Sequence, residues 1–275
     1  MSLFVSSINS GSNGNCFYIG NDTDAILVDA GISCREIEKR MKRLGLSMQK
    51  LRAVFISHEH SDHIRGIHSL VKKYQLPVYI SPTTAQHGRI YFDKGYLRSF
   101  SAHQPVTIGN MSITAFPKFH DASDPYSFTI GYDKVKVGVF TDIGIPCEQV
   151  IKYFQQCNAV FLEANYDDEM LDNGNYPFHL KRRIRSDWGH LSNKQALELF
   201  KKHRPSFMSH LILSHLSKNN NCPELVKNLF DQYASGVQMI VASRFEETPV
   251  LHIRSEIKEP GMIIPSSHAQ LELAF

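Results

Sequence analysis

Short apolar and β-branched runs alternate along the chain with segments of helical periodicity. Seven runs bounded by turn residues are typical of strands, several of them buried on both faces. They are residues 25–28, 53–57, 78–80, 111–116, 136–141, 159–163 and 211–214. Apolar positions three and four apart predict helices over 64–74 and 194–203, with Asn193 as N-cap of the second. Strands alternating with helices predict a layered α/β architecture.

The chain of 275 residues contains no repeat, no low-complexity segment and no linker long enough to divide it. Its hydrophobic content of 42% and charged content of 21% exclude a disordered chain. We therefore predict a single domain over residues 1–257. The stretch 258–275 contains Pro260, Gly261 and Pro265, and we expect a loosely ordered C-terminal extension there.

The five cysteines are scattered and form no C-x-x-C pair, which is typical of reduced thiols in a cytoplasmic protein. The N-terminus has neither the basic nor the apolar region of a secretory signal. No apolar run approaches the roughly 18 residues that cross a bilayer. We expect a soluble, cytoplasmic protein without a membrane partner. The net charge of +3 is too small to indicate a nucleic-acid partner by itself.

Metal-binding side chains cluster directly after the predicted strand at 53–57. The run VFISHEHSDHIRG contains His58, His60, Asp62 and His63. In extended backbone, positions i and i+2 point the same way, so His58 and His60 can hold one ion together. The helical pattern that follows puts Asp62 and His63 at a strand-to-helix corner, facing a second ion position nearby.

Further candidate ligands follow other strands. His120, Asp142 and His215 each end an apolar run at its C-terminal side, where α/β sheets gather their ligands. Imidazole and carboxylate ligands suit zinc, manganese or iron, and the histidines disfavour magnesium and calcium. Asp29 also lies at a strand end, and we expect it to orient the histidines without binding metal.

Taken in chain order, the segments that contain these candidate ligands resemble the motif series of the metallo-β-lactamase superfamily. Further motifs are similar to those of its YycJ/WalJ group: SGSNGNC (10–16), LVDAG (27–31), LEANYD (162–167), GHLSN (189–193) and SHLSKNN (214–220). The resemblance covers about residues 5–245 and implies an αββα sandwich with a dinuclear metal site at one edge. The ligands it implies are His58, His60 and His120 for the first ion, Asp62, His63 and His215 for the second, and Asp142 as the bridge.

The same resemblance suggests a reaction. Glu163 and His190 resemble a pair in the phosphodiesterase branch of the superfamily, where the histidine lies near the scissile phosphate and the carboxylate orients it. An imidazolium can protonate a poor alkoxide leaving group, and two metal ions can activate water without a serine or cysteine nucleophile. We predict phosphodiester hydrolysis with His190 as proton donor and Asp62 as a ligand that also positions the hydroxide. A structural hydrogen bond for Glu163 and a helix cap for His190 are the alternatives.

Cations immediately before His190 are candidate phosphate contacts, with a solvated basic loop as the alternative. They are Lys181, Arg182, Arg183 and Arg185. Trp188 is available to stack on a base. The glycine-rich loop around Asn13 can present backbone N–H groups to a phosphate, although such loops are often simple tight turns.

The YycJ/WalJ resemblance implies exonuclease activity and favours DNA over RNA as the substrate. The segment between Asp142 and His215 is too short for the additional β-CASP domain of RNase J-like nucleases. Three alternatives stay open: a phosphodiesterase for small molecules or cyclic nucleotides, a thioesterase similar to glyoxalase II, and a non-catalytic metal-stabilised binding module. Oligomeric state is left open as well.

Overall fold

A computed structural model of the chain describes residues 1–92 and 95–255. The strands in this part are β1 (Ser2–Asn9), β2 (Cys16–Gly20), β3 (Ala25–Val28), β4 (Leu51–Phe55), β5 (Val78–Tyr79), β6 (Leu97–Arg98), β7 (Pro105–Ile108), β8 (Met111–Pro117), β9 (Tyr126–Tyr132), β10 (Val135–Phe140), β11 (Ala159–Glu163), β12 (His210–Ser214), β13 (Gln238–Val241) and β14 (Leu251–Arg254). The helices are α1 (Cys34–Arg43), α2 (Ser61–Ile64), α3 (Ile67–Tyr74), α4 (Pro82–His87), α5 (Glu148–Phe154), α6 (Asp168–Asn173), α7 (Phe178–Arg185), α8 (Asn193–His203) and α9 (Pro223–Asp231).

The strands form two seven-stranded sheets. The first has the order β14-β1-β2-β3-β4-β5-β6 and the second the order β13-β12-β11-β10-β9-β8-β7. Strands β3 to β6 run parallel to one another, and so do β10 to β13. The carboxyl ends of parallel neighbours lie at one edge of a sheet. The segments that leave these ends are therefore brought together.

The two sheets pack face to face through a core of aliphatic and aromatic side chains. The rings of Phe17 and Phe161 lie 4.9 Å apart across it, and those of Phe55 and Phe128 lie 5.7 Å apart. Helices α1 and α3 cover the outer face of the first sheet, and α5, α8 and α9 cover that of the second. The predicted single-domain αββα sandwich is confirmed. The predicted extension at 258–275 lies outside the described residues.

Two local predictions are wrong for identifiable reasons. The helix predicted over 64–74 is interrupted between α2 and α3, because the Gly66 N–H bonds to the carbonyl of Ala30 and draws the chain against the first sheet. The N-cap of α8 is Ser192 and not Asn193. Its hydroxyl accepts from the N–H of Gln195, whose side chain accepts from the Ser192 N–H, a reciprocal capping box.

Across the described residues, the helices are all too short or too polar to cross a membrane. All five cysteines are free thiols.

Candidate metal centre

The side chains predicted to bind metal converge where the two sheets meet at the carboxyl ends of their central strands. His58 and His60 lie between β4 and α2, and the first turn of α2 carries Asp62 and His63. His120 follows β8, Asp142 follows β10 and His215 follows β12. The first sheet therefore contributes one short contiguous segment, and the second contributes the ends of three strands.

The strand ends share an uncommon backbone conformation. Asp29, Asp142 and His215 have φ angles of 61°, 55° and 57°, in the left-handed region that residues other than glycine rarely adopt. Tertiary hydrogen bonds hold these turns: the His215 N–H donates to Ser10 Oγ at 2.7 Å, and the Asp29 N–H to the Phe55 carbonyl at 2.8 Å. Such conformations persist where the surrounding structure enforces them, and they cluster at functional sites.

One group of ligand atoms consists of three imidazole nitrogens. His60 Nδ1 lies 3.1 Å from His58 Nε2 and 3.3 Å from His120 Nε2. The three atoms lie within 4.8 Å of one another, close enough to bind a single ion. Burial lowers the pKa of His58 well below its usual value and that of His120 to about 3. Both imidazoles are therefore neutral, the form that binds metal.

A second group comprises Asp62, His63 and His215. Asp62 Oδ2 lies 3.6 Å from Nε2 of each histidine. Asp142 lies between the two groups. Its Oδ2 is 3.3 Å from His63 Nε2, and its Oδ1 is 3.5 Å from His215 Nε2 and 3.8 Å from His120 Nε2. The side chain of Asp142 is thus within reach of an ion in either group.

The donor set fits divalent cations. Asp142 Oδ2 and His215 Nε2 are buried and make no hydrogen bond within the part of the chain that the structure describes. A buried polar atom without a partner is costly unless something else binds it. Burial raises the pKa of Asp62, but His63 and then His215 lower it to about 2, so this carboxylate is ionised. An ionised carboxylate beside unpaired imidazole nitrogen is suited to a divalent ion.

Hydrogen bonds behind the ligands fix their rings. Asp29 Oδ2 lies 2.7 Å from His63 Nδ1 and 2.9 Å from Ser57 Oγ, which lies 2.9 Å from His58 Nδ1. His120 Nδ1 donates to the carbonyl of Gly189 at 3.0 Å. Holding one ring nitrogen in this way directs the other toward the site. Asp29 thus has the orienting position that the sequence suggests.

Comparison with known proteins identifies the family. The sequence profile described as "Beta-lactamase superfamily domain" matches residues 24–216. The chain is 35% identical over 251 residues to a Bacillus anthracis protein named exodeoxyribonuclease YycJ, covering 90% of this chain and 94% of the relative. This chain belongs to the YycJ-like hydrolases of the metallo-β-lactamase superfamily. The predicted resemblance is confirmed.

Other relatives agree with this assignment. A Streptococcus pneumoniae protein named exodeoxyribonuclease WalJ is 34% identical over 223 residues, covering 78% of this chain and 82% of the relative. Among solved structures, the metallo-β-lactamase fold protein YhfI from Bacillus subtilis covers 92% of this chain and 100% of its own, with a TM-score of 0.72 and 18% identity. At that identity the structural match shows the fold alone.

In this YycJ-like chain, one buried carboxylate serves two histidines. Glu163 Oε1 lies 2.7 Å from His190 Nδ1 and 3.0 Å from His215 Nδ1. Its Oε2 accepts from the N–H groups of Ile143, at 2.7 Å, and Leu191, at 3.3 Å. Burial raises the pKa of Glu163, but His190 and then His215 lower it to about 2. The contact between Glu163 and the proposed ligand His215 was not evident from the sequence.

Two further residues of this superfamily member were missed because their roles depend on tertiary contacts. Lys118 is buried, and its Nζ donates to the Thr141 carbonyl at 2.6 Å, one residue before Asp142. Asp121 Oδ1 lies 3.4 Å from His120 Nε2, and its Oδ2 accepts from Arg183. Both residues lie in the segment PKFHD around His120. This proximity to a predicted ligand is the only feature of the sequence that points to them.

The five predicted phosphate contacts of the YycJ-like chain do not converge. Lys181 donates to the Asp172 carbonyl at 2.7 Å. Arg183 pairs with Asp121 beside a ligand, whereas Arg185 pairs with Asp172 of α6 at 2.7 Å. Arg182 lies on the exposed surface of α7. The Asn13 side chain donates to the Arg244 carbonyl at 3.1 Å.

From the same glycine-rich loop, the Asn15 side chain reaches the ligand cluster. Its Nδ2 lies 3.1 Å from His63 Nε2 and 3.4 Å from Asp62 Oδ2. Asn15 is fully buried, whereas Asn13 is exposed. The backbone turns between the two asparagines at Gly14, whose φ is 146°, and only Asn15 faces the ligand cluster.

Proposed function

We propose that this chain is a dinuclear metal-dependent phosphodiesterase that degrades DNA from an end. The observation that carries the proposal is the 2.7 Å contact between Glu163 Oε1 and His190 Nδ1 at the border of the ligand cluster. Two relatives that match most of this chain are named exodeoxyribonucleases. A cytoplasmic location fits a DNA substrate and the five free thiols.

The ligand assignment is part of the proposal. His58, His60 and His120 would hold one ion, Asp62, His63 and His215 the other, and Asp142 both. Zinc or manganese suits these donors best, with iron as the third choice. When bound, such a pair of ions supplies Lewis acidity toward the phosphate and activates water at neutral pH. The side chain of Asp62 is 18% exposed, so it can also accept a hydrogen bond from the attacking water.

His190 supplies the proton that a nucleotide leaving group requires. Glu163 holds the proton on Nδ1 and stabilises the charged ring, which leaves Nε2 to donate to the leaving oxygen. The His190 side chain is 20% exposed, whereas Glu163 is fully buried behind it. General acid catalysis of this kind contributes about 10²- to 10⁴-fold. A thioester, whose leaving group needs no proton, would not require the pair.

End-labelled duplex DNA tests the proposal directly. We expect the wild-type protein with added Mn²⁺ or Zn²⁺ to release the label, and the Asp62→Ala variant to be slower by more than about 100-fold, since it lacks a ligand and a water contact. Labelling the other end gives the polarity, and RNA of the same sequence gives the sugar preference. Circular dichroism verifies that the variant is folded.

Two outcomes would contradict the proposal. A fully active Asp62→Ala protein would show that the site is wrongly assigned. Intact DNA together with metal-dependent cleavage of bis(p-nitrophenyl) phosphate would indicate a phosphodiesterase for small molecules or cyclic nucleotides.

A further inference from the structure

Two exposed aromatic side chains stand beside the ligand cluster. Phe119 immediately precedes the proposed ligand His120, and Trp188 lies two residues before the proposed acid His190. Their rings meet edge to face, with centroids 4.9 Å apart and an interplanar angle of 63°. Phe119 is 37% exposed and Trp188 is 52% exposed. Large apolar side chains in such a position are exposed at a cost, which suggests that a ligand covers them.

The backbone under this pair is tightly held. The Asp121 N–H donates to the Trp188 carbonyl at 2.8 Å, and the Gly144 N–H donates to the Phe119 carbonyl at 2.7 Å. Gly144 lies so close to the Asp187 carbonyl that a side chain at this position would collide with it. The segments that follow β8, β10 and α7 are thereby joined into one support, so ordering the two rings for a ligand costs little entropy.

We propose that Phe119 and Trp188 form a stacking platform for a nucleobase of the nucleotide next to the scissile phosphate. The inference rests on the proposed function, because it takes the substrate to be a nucleic acid. An edge-to-face pair leaves most of its ring faces uncovered, and every base presents a π-face of its own. Stacking is therefore tolerant of sequence, as a degradative nuclease requires. Arg183, half-exposed beside Asp121, adds a cation at the border of the platform.

Binding can be observed on the platform itself, because Trp188 is the only tryptophan of the chain. The probes are a cleavage-resistant phosphorothioate hexadeoxynucleotide and a hexamer of equal charge built from abasic residues. Zinc is the metal in both titrations because it does not quench tryptophan. We expect the base-bearing probe to quench Trp188 fluorescence and the abasic probe to leave it unchanged. In Phe119→Ala, the Kd of the base-bearing probe should rise about 5- to 100-fold.

Kinetics separate stacking from a structural role. Trp188→Ala should lower kcat/KM about 5- to 100-fold on intact single-stranded DNA. On DNA whose terminal and penultimate nucleotides are abasic, the variant and the wild type should be nearly equal. Trp188→Phe should retain most of the activity. Phe207→Ala is the matched control, since Phe207 is 47% exposed but precedes β12, at the end of that strand opposite to His215.

The platform is refuted if Trp188→Ala loses as much activity on abasic DNA as on intact DNA. It is also refuted if the phosphorothioate probe binds, as judged by fluorescence anisotropy of a labelled strand, without quenching Trp188. A wild-type protein that cleaves no DNA but cleaves small phosphodiesters would instead overturn the proposed function. The two failures are therefore distinguishable.

Discussion

At the scale of single residues, the centre depends on one carboxylate oxygen that two imidazoles share. Glu163 Oε1 accepts from Nδ1 of both His190 and His215. The first histidine is the proposed acid and the second a proposed ligand, so a single side chain orients the proton donor and part of the metal site. Removing the acid and removing its orienting carboxylate should therefore have different consequences.

We expect His190→Ala to keep its metal and lose proton donation. Cleavage of DNA, whose leaving group is an alkoxide, should fall about 10²- to 10⁴-fold. Cleavage of an activated p-nitrophenyl ester should fall much less, because p-nitrophenolate leaves without a proton. Rates on the two substrates, with metal content measured by mass spectrometry, check this expectation. Equal losses on both substrates would contradict the role of His190.

Glu163→Gln should damage the metal site as well. The amide retains the shape of the side chain but stabilises neither imidazole through charge. If its oxygen faces the imidazoles, its NH2 group faces the N–H groups of Ile143 and Leu191, which need an acceptor. Since changes in the groups that orient ligands cost about 10- to 100-fold in metal affinity, we expect a loss of that size. Competition with a chromophoric chelator measures it, with His190→Ala as the matched variant. A Glu163→Gln protein of unchanged affinity would show that His215 needs no such partner.

At the scale of elements, helix α2 owes its position to backbone contacts. It has only four residues and no side-chain cap. The Asn15 N–H donates to the Asp62 carbonyl at 2.7 Å, and the Ala30 N–H to the His63 carbonyl at 2.8 Å. Gly31 lies against the Asp62 carbonyl so closely that a Cβ there would collide with it. The segment after β3 thus sets where two of the proposed ligands lie.

Gly31→Ala should move α2 and weaken metal binding without removing any ligand. The added methyl group must push the Asp62 carbonyl away, at a cost of about 1–3 kcal/mol in stability. Chelator competition should also show a loss of metal affinity. Gly131→Ala in β9 is the control, because the nearest atom to its Cβ would be 3.8 Å away. Unchanged metal affinity in Gly31→Ala would argue against this account of α2.

Some elements follow from local sequence, and others depend on tertiary contacts. Strands 25–28 and 159–163 could be predicted to the residue, because their apolar runs are bounded by polar turns. The side chains that form the ligand cluster could be located because they follow such runs. The helix break at Gly66 could not, since it depends on the Ala30 carbonyl of a distant segment. The pairing of Arg185 with Asp172 has the same tertiary origin.

At the scale of the whole molecule, the centre joins two sheets and gathers buried charge of both signs. Asp29 belongs to the first sheet, whereas Asp142 and Glu163 belong to the second. Burial lowers the pKa of Lys118, but these three carboxylates, with Asp142 first, act in the opposite direction. Without metal ions, protonated histidines must balance the remaining charge. The stability of the metal-free protein should therefore depend strongly on pH.

Burial lowers the pKa of His215, but the neighbouring carboxylates, with Asp142 first, raise it to about 10. Its protonation therefore stabilises the fold fully below the unfolded pKa of about 6.5, and this contribution is lost as the pH rises toward 10. Asp62 and Glu163 have pKa values of about 2. Their ionised forms therefore stabilise the fold above about pH 4.5, and this stabilisation is lost as the pH falls toward 2.

We thus expect the chelated protein to be most stable near pH 6.5, because burial lowers the pKa of His58 and of His120, and the unfolded chain binds the protons of these two residues below that pH. Divalent ions replace the protons of the histidines, so the zinc-loaded protein should lose less stability between pH 6.5 and 9. Differential scanning calorimetry with EDTA or with Zn²⁺ measures both profiles. If the stability of the chelated and the zinc-loaded protein fell equally above pH 6.5, this would contradict the assignment of His215 as a residue whose proton the metal displaces.

The pairing of β1 with β14 has a consequence for folding during synthesis on the ribosome. Ser2 lies opposite Arg254, so one border of the first sheet is built from segments about 250 residues apart. Until the later strand has been synthesised, the N–H and C=O groups along the outer side of β1 have no partner. An open strand edge invites pairing with another chain, and contacts between distant segments form slowly. Substitutions that weaken β14 would therefore reduce the yield of folded protein before they altered the chemistry of the site.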